Sequence, residues 1–410
     1  MKILFISALD FKERSIQVIR KTPEAYVENG VDVHYVVARD TSKSGNYYYE
    51  DEINPEGLNI YRFYSPLSKI RDKVNNRILS AILTRISRYL IIIKMAKVSS
   101  KVIKENNIDV CYGYEIDGVL AANLLKLFGK LKGIKLVSRF QGTIVTDILD
   151  KKNYKKAISN WEHFLALKLP SDLCIMTDDG TQGKQLLQRI NSKNTKNLKF
   201  WPNGVDEQKL NQDTIANLKE KYHCEDKMII LTVCRLVHWK KVERGIESVA
   251  KLVHDHNETN IKYFIVGEGN ERPKLEKLVK DLKITEYVEF VGAVKNTEVK
   301  EFLNIADIFM STYDLSNVGN PLLEAIRANK IIITLNNGDT KEWIQNGVNG
   351  YIYDINEMTT TKIAKTLHML INNPEKRQEI LENIKKTEVE KLWTWKERLD
   401  TEVKVVKELK

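Results

Sequence analysis

Cysteine is scarce in this chain: Cys111, Cys174, Cys224 and Cys234 stand far apart, with no Cys-x-x-Cys pair. That spacing argues against a disulfide scaffold or a thiolate metal site and leaves four small hydrophobes suited to a reducing compartment. Other metal-ligand patterns are missing as well. No Asp-x-Asp occurs, Asp178 and Asp179 are adjacent rather than alternate, and His254-x-His256 reads as a solvated helix end. No uninterrupted apolar run approaches the roughly 20 residues that span a bilayer. The first ten residues, Met1 to Asp10, are too soon interrupted for a signal peptide and read as a buried strand, so a cytoplasmic protein is expected. Low-complexity segments and short repeats are not visible.

What is present is an ordinary globular composition, 42% hydrophobic and 29% charged. At 410 residues the chain exceeds one typical core, so two domains of roughly 200 residues each are expected. The formal net charge of +10 suits an anionic partner, whether nucleotide, nucleic acid or membrane headgroup, although a lysine-rich solvated surface gives the same sum. No basic–aromatic interleaving calls for nucleic acid.

Apolar runs alternate with amphipathic stretches along the whole chain. Strands are expected at 2–7, 31–37, 59–63, 110–112, 134–140, 173–176 and 198–201, with helical patterns between them at 16–29, 116–131 and 154–168. After Pro202-Asn-Gly-Val-Asp206 a second series starts: strands at 228–233, 263–266, 288–291, 308–310, 331–334 and 351–353, helices at 244–254, 273–282, 297–305, 321–329 and 340–345. This alternation predicts an α/β fold of two doubly wound, Rossmann-like domains, each with a parallel sheet. Ligands of such sheets bind beyond the carboxyl ends of the strands. Two stretches break the rhythm. Ser42 to Ser65 is polar and tyrosine-rich and reads largely as loop. In Ile70–Ile103, Leu79, Ile82, Leu83, Ile86, Leu90 and Ile93 share a helical stripe with arginines and lysines interleaved. Such a stripe can lie on an anionic membrane, and more commonly packs on its own domain. The tail from Lys376 is charged and helical.

The stretch Tyr313-Asp-Leu-Ser-Asn-Val-Gly-Asn-Pro-Leu-Leu-Glu-Ala-Ile-Arg327 stands out. A strand ends at Ser311, a loop follows, and Asn320-Pro321 reads as an N-cap and first helical residue. The loop and helix start offer free N–H groups to an anion, with the carboxylate of Glu324 beside them. An ordinary strand–loop–helix joint reads the same way.

Together with its neighbours this stretch resembles the GT-B glycosyltransferases, specifically the retaining family 4 enzymes. The resemblance rests on five segments in order: Arg235-Leu-Val-His-Trp-Lys240, Val266-Gly-Glu-Gly269, Phe290-Val-Gly-Ala-Val294, the stretch with Gly319, Pro321 and Glu324, and Glu342-Trp-Ile-Gln-Asn-Gly-Val-Asn-Gly-Tyr351. It implies an acceptor-binding domain over 1–202, a nucleotide-sugar-binding domain over 203–385, and a final helix, 386–410, crossing back to the first, with a cleft between the domains. Arg235 and Lys240 would be the catalytic cations on the donor diphosphate. Main-chain groups of Asn317, Val318, Gly319 and Asn320 would add to them, and Glu324 would accept the ribose hydroxyls. Glu268 lies in the glycine-containing strand end of the donor site, and Val294 or Lys295 would meet the base. The reaction implied is metal-independent and retaining, with no cofactor, between a nucleotide-diphosphate sugar and a glycan or lipid-linked acceptor in surface polysaccharide or glycolipid synthesis; the basic stripe, where it faces a membrane, adds peripheral contact with anionic headgroups.

Two positions depart from that pattern. The family's glutamate eight residues before Glu324 is Ser316 here, with Asp314 as its candidate replacement. In the first domain Arg139-Phe-Gln-Gly-Thr143 occupies the place of a His-Gly, so Gln141, with Gly142 and Thr143, would orient an acceptor hydroxyl without accepting its proton. Thr177 and Asp179 are candidate cleft residues, and Asp179 with Thr181 suits a helix cap equally well. Ser7-Ala-Leu-Asp10 stands where paired glycines are common. The alternatives are a nucleotide-sugar epimerase and a catalytically silent binding protein of the same architecture.

Overall fold

The computed structural model describes residues 1–11, 17–42, 51–207, 212–315 and 317–409. The chain divides into two compact units. The first holds Met1–Asp178, Gly183–Trp201 and Lys396–Lys410; the second holds Asp179–Gln182 and Pro202–Trp395.

In the first unit seven strands, β1 (Lys2–Ser7), β2 (Asp32–Arg39), β3 (Leu58–Tyr64), β4 (Val110–Tyr114), β5 (Lys135–Phe140), β6 (Leu173–Thr177) and β7 (Leu198–Trp201), form one sheet in the order β3-β2-β1-β4-β5-β6-β7. Every pairing is parallel. The interior strands are buried along nearly their whole length, which is why they read as continuous apolar runs rather than alternating ones. The flanking helices are α1 (Gln17–Glu28), α2 (Ser68–Arg71), α3 (Arg77–Asn106), α4 (Glu115–Leu127), α5 (Val145–Asp150), α6 (Tyr154–Ser159), α7 (Trp161–Lys168) and α8 (Gly183–Arg189).

The second unit has six strands, β8 (Met228–Val233), β9 (Ile261–Val266), β10 (Val288–Gly292), β11 (Ile308–Met310), β12 (Ile331–Leu335) and β13 (Tyr351–Tyr353), in the order β10-β9-β8-β11-β12-β13, again all parallel. Its helices are α9 (Gln212–Lys221), α10 (Val242–His256), α11 (Arg272–Asp281), α12 (Asn296–Ile305), α13 (Asn320–Arg327), α14 (Thr340–Trp343), α15 (Thr359–Asn372) and α16 (Pro374–Lys391). The last helix, α17 (Trp395–Lys407), joins the core of the first unit almost from its start. Its Glu402 is buried, accepts a 2.6 Å bond from the Tyr112 hydroxyl of β4 and pairs with Arg398 at 2.9 Å. Residues 386–391, expected with this crossing helix, instead continue α16 of the second unit.

Both sheets share one topology: three strands are laid outward in one direction, and the fourth returns to the other side of the first. The order therefore reverses between β1 and β4 in one unit and between β8 and β11 in the other. Splayed connections at such a reversal open a crevice at the carboxyl ends of the strands.

Three expectations need correction. The pattern over 154–168 is two helices, α6 and α7, broken at Asn160, whose N–H bonds to the carbonyls of Lys156 and Ala157 and tightens the turn. The apolar stripe on α3 does not pack on its own domain. Ser87, Ile92, Met95, Ser99 and Val102 are the buried side, while Ile78, Leu79, Ile82, Ile86, Leu90 and Ile93 face solvent. Asn320 does not cap α13; Gly319 does. The Asn320 side-chain oxygen instead accepts a 3.0 Å bond from Asn203 of the Pro202–Asp206 turn.

Candidate active site

In the second unit the reversal point is furnished from two directions. After β8 the chain runs through Cys234-Arg235-Leu236 into a 3-10 turn, His238–Lys240. The glycines of Val266-Gly-Glu-Gly269 allow this path. A Cβ on Gly267 would stand 1.9 Å from the Cys234 carbonyl oxygen, and one on Gly269 would stand 2.1 Å from that of Leu236. Main-chain bonds from Leu236 N to Glu268 O (2.8 Å) and from Glu271 N to Leu236 O (3.0 Å) fix the contact. The motif is thus a buttress for the Arg235 loop.

On this loop the two expected cations differ. Arg235 is exposed and makes no side-chain bond among the described residues. Lys240 is half-buried in an aromatic corner, its Nζ 4.2 Å from the centre of the Trp239 ring and 3.6 Å from that of Tyr313. No carboxylate pairs with it among the described residues. Burial, with Arg235 adding repulsion, pushes the ammonium down to about 8. It is a cation whose solvation has been removed and replaced by ring faces rather than by a counter-ion.

From β11 comes the second wall. Asn317 is buried and closes the loop on itself. Its Oδ1 accepts from Tyr313 N at 3.1 Å, and its Nδ2 donates to Tyr313 O at 3.3 Å and to Asn337 Oδ1 at 2.8 Å. Its side chain is therefore a staple that holds Tyr313 over Lys240. Val318 is buried as well. The N–H groups of Gly319 and Asn320 donate to nothing among the described residues, as expected for the first turn of a helix. Gly319 has φ −146°, open to any residue, and an added Cβ would meet only Pro321 Cδ at 3.8 Å. Neither backbone strain nor protein packing requires glycine there; it leaves the approach to these N–H groups clear.

Glu324, one turn into α13, has a half-buried carboxyl with no partner among the described residues. Burial pushes it up to about 7, against a weaker pull from Lys300. Asp314 does not lie free as a replacement carboxylate. Arg244 at the start of α10 holds it at 2.6 Å, with Lys241 at 3.9 Å. Ser316 lies outside the described residues. Glu268 is paired with Arg272. The main chain of Lys295 is consumed by the cap of α12: its N–H donates to Glu298 Oε2 at 2.7 Å and its carbonyl accepts from Glu298 N and Val299 N. Val294 makes no main-chain bond among the described residues.

The first unit has a cavity of about 460 Å³ at its own reversal point, lined by Ala8 and Leu9 after β1, Tyr114 to Asp117 after β4, Gln141 after β5, and Ile19 and Arg88. Gln141 is well anchored. Its N–H donates to Glu115 Oε1 at 2.7 Å, its Nε2 to the Tyr114 hydroxyl at 2.8 Å, and its Oε1 accepts from Thr177 at 3.4 Å. Thr143 serves the local turn, accepting from Val145 N, and Gly142 takes φ +124°. Asp179 is grouped with the second unit and acts as a cap, accepting from Thr181 N and Oγ1 at 3.1 and 2.6 Å; burial raises it to about 6.

Sequence reasoning missed Trp239, Arg244, Glu115 and Asp117. Asp117 pairs with Arg88 at 2.7 Å and is raised by burial. Glu115 occupies a left-handed conformation, φ +58°, at the strand–helix joint, where no glycine or asparagine marks the turn. Trp239 and Arg244 lie within or beside a motif whose charged ends drew attention away from them.

Residues 213–387 match the model of the family described as glycosyl transferases group 1. Among characterised proteins, alpha-monoglucosyldiacylglycerol synthase of Acholeplasma laidlawii is 27% identical over 164 residues, 40% of each chain. N-acetyl-alpha-D-glucosaminyl L-malate synthase of Bacillus anthracis is 28% identical over 184 residues, 45% of this chain and 46% of that protein. The matched part is thus less than half the length of either relative. Solved structures are similar along the whole chain. Anabaena HepE in complex with UDP gives a TM-score of 0.71 at 13% identity, with all of both chains covered. Sucrose-phosphate synthase of Thermosynechococcus elongatus gives 0.75 at 15%, covering 100% of this chain and 98% of that one. The fold is that of the GT-B glycosyltransferases, and residues 213–387, less than half of the chain, are similar to the glycosyl transferases group 1 family.

Proposed function

We propose that the protein transfers a sugar from a nucleotide-diphosphate sugar, held by the second unit, to a glycan or lipid-linked acceptor, held by the first. The observation that carries this reading is the half-buried Lys240 ammonium, caged by Trp239 and Tyr313 without a carboxylate partner. A cation left underneutralised in the free protein gains most when a diphosphate arrives. It gains further as the sugar–phosphate bond breaks and charge accumulates on the leaving oxygen. Arg235 and the unpaired N–H groups at the start of α13 act on the same charge, and cations in these positions serve a metal-independent reaction. Glu324 accepts the ribose hydroxyls, which suits a carboxylate that has no other donor. Val294 offers main-chain groups to the base.

The acceptor hydroxyl enters the cavity lined by Gln141, Glu115 and Asp117. Gln141 orients it and cannot take its proton. In a retaining step the bond from the anomeric carbon to the leaving phosphate oxygen breaks and the bond to the acceptor oxygen forms on the same face. The acceptor's proton passes to the departing phosphate. The donor complexes of HepE with UDP and UDP-glucose, and the glycolipid in the name of the Acholeplasma enzyme, support a nucleotide-sugar donor and a surface glycan or glycolipid product. Work at the cytoplasmic face of an anionic membrane belongs to the same reading.

Calorimetry against UDP, GDP and ADP, free and as their sugar conjugates, tests it. One nucleotide class should bind, and Arg235→Ala should weaken it at least tenfold; binding of none would refute the enzyme reading.

A further inference from the structure

Helix α3 is apolar on two opposite sides. One side packs against α4, β1 and β2. On the other, Ile78, Leu79, Ile82, Ile86, Leu90 and Ile93 fall within roughly 120° of the helix circumference at about 3.6 residues per turn, all exposed, with Ile78 at 73%. Beside it runs the α6–α7 corner, joined to α3 by Arg85, which donates to Ser159 O and to Glu162 Oε1 at 2.7 Å, and by Tyr89, which donates to the same Glu162 oxygen at 2.7 Å. This corner adds exposed Tyr154, Ile158 (74%) and Trp161, whose ring lies 6.3 Å from that of Tyr89. An exposed apolar surface on two neighbouring elements is more than the scattered single residues an ordinary surface carries.

Its charge decides what it fits. From Lys69 to Lys104 there are ten lysines and arginines and a single acid, Asp72. Arg71, Arg85 and Arg88 are neutralised locally by Asp40, Glu162 and Asp117. Lys69, Lys73, Arg77, Lys94, Lys97 and Lys104 remain on the surface, and Lys97 and Lys104 continue the apolar stripe beyond Ile93 on the same side of the helix. A second copy of the chain would bring the same positive charges against these, since a two-fold contact pairs like surfaces. Nucleic acid would make no use of the isoleucines. We propose that the outer face of α3, with the α6–α7 corner, docks on an anionic phospholipid bilayer, isoleucines and Trp161 in the interface and the lysines at the headgroups.

The consequence for the acceptor rests on the transferase reading. A groove of about 430 Å³ lined by Arg77, Ser80, Ala81, Thr84, Arg85 and Arg88 shares Arg88 with the cavity at the β1/β4 reversal. Because Arg88 of α3 lines that cavity, a protein docked by this helix holds the cavity near the bilayer, and the acceptor it suits is an amphiphile whose polar head enters while its apolar part stays in the membrane.

The test is sedimentation of the full chain with phosphatidylcholine vesicles, with and without phosphatidylglycerol, in the absence of nucleotide. Binding is expected only with phosphatidylglycerol and should fall with added salt. Ile82→Asp with Ile86→Asp, both at exposed positions, should weaken it at least tenfold. Lys97→Gln with Lys104→Gln should cost about fivefold per lysine. Leu127→Ser with Phe128→Ser, a still more exposed pair at the end of α4, should change nothing. Unaltered binding by the aspartate variant, or loss confined to the Leu127/Phe128 variant, overturns the proposal. So does a wild-type dimer that the aspartates dissociate, which would make the face an interface between copies. Nucleotide affinity measured on the same proteins keeps the two readings apart, because vesicle binding requires no donor site.

Discussion

Replacing Lys240 with methionine should make the free protein more stable while weakening its binding of nucleotide. The lysine pKa falls from the usual 10.5 to about 8. At 1.36 kcal/mol per tenfold change, holding its charge at pH 7 costs the folded state roughly 3 kcal/mol. The Trp239 and Tyr313 faces return about 1–2 kcal/mol of this. Methionine keeps the contacts of the apolar stem and carries no charge, so a net gain of about 1–2 kcal/mol is expected. For a unit of this size that is roughly 2–8 °C in Tm. The sign with pH follows from the direction of the shift. Between about 8 and 10.5 the unfolded chain binds a proton that the folded lysine has lost, so the penalty that Lys240 itself places on the fold is lifted as pH rises across that window. The advantage of Lys240→Met is therefore full below pH 8 and shrinks toward pH 10.5. Differential scanning calorimetry at pH 7 and at pH 10 measures both ends, and calorimetric titration with the best nucleotide should show binding weakened about 10–150-fold by the loss of one charged contact. A variant less stable than wild type at pH 7, or a gain that does not shrink with pH, refutes the argument that this ammonium waits, underneutralised, for an anion.

Three further outcomes follow from the same residues. Wild-type nucleotide affinity should fall about tenfold per pH unit above pH 8, as the free Lys240 loses its proton, with proton uptake on binding seen as a buffer-dependent heat. Glu324→Gln should bind a ribonucleotide about 10–150-fold more weakly and lose the wild-type preference over the 2′,3′-dideoxy analogue, since the discrimination comes from a carboxylate matched to hydroxyls. Asn317→Ala should lower stability by about 1–3 kcal/mol in urea denaturation by leaving the Tyr313 N–H without its acceptor, while Tyr313 O keeps its bond from Asn337 Nδ2, and should also weaken nucleotide binding because Tyr313 is then held over Lys240 by its hydroxyl bond to Val233 O and by Asn337 alone.

The strands were legible because parallel strands buried on both faces are short, β-rich apolar runs; β1, β8, β11 and β13 begin and end where that pattern does. The segments at the β8/β11 reversal were legible because their residue types have few other uses: a glycine pair where two main chains cross, a proline at a helix start, cations after a strand. What could not be read was which polar groups the fold spends on itself. Asp314 looked like a spare carboxylate and is bound to Arg244. Asn317 was expected to offer its main chain to a ligand, and nothing local showed that its side chain is a staple. Lys295 looked like a base contact and is a cap. The Asp314–Arg244 and Asn317–Asn337 contacts join residues 70 and 20 apart, which nothing local in the sequence records, whereas the Lys295–Glu298 cap is local but starts from a lysine, which is not a usual cap residue. The α3 stripe failed for another reason. With apolar residues on both sides of the helix, periodicity marks that a stripe exists without saying which side is the core.

The two units solve one problem twice with the same topology and opposite chemistry. Each opens a site where its strand order reverses, so the backbone gives both the same kind of crevice. At the β8/β11 reversal the carboxylates are pulled aside or kept apart: Asp314 is tied to Arg244, Glu268 to Arg272, and Glu324 lies a helical turn from the helix start, so Lys240, Arg235 and bare N–H groups are left to meet an anion. At the β1/β4 reversal the cation is the group that is tied down. Arg88 is held by Asp117, and Glu115, Gln141 and the Tyr114 hydroxyl, already linked to one another, present a neutral-to-acidic hydrogen-bonding surface. A diphosphate is attracted to the first and repelled by the second; a hydroxylated acceptor is suited to the second and gains little from the first. On the proposed transferase reading, donor and acceptor would therefore divide between the units according to which charges each fold neutralises internally, whichever sugar is carried.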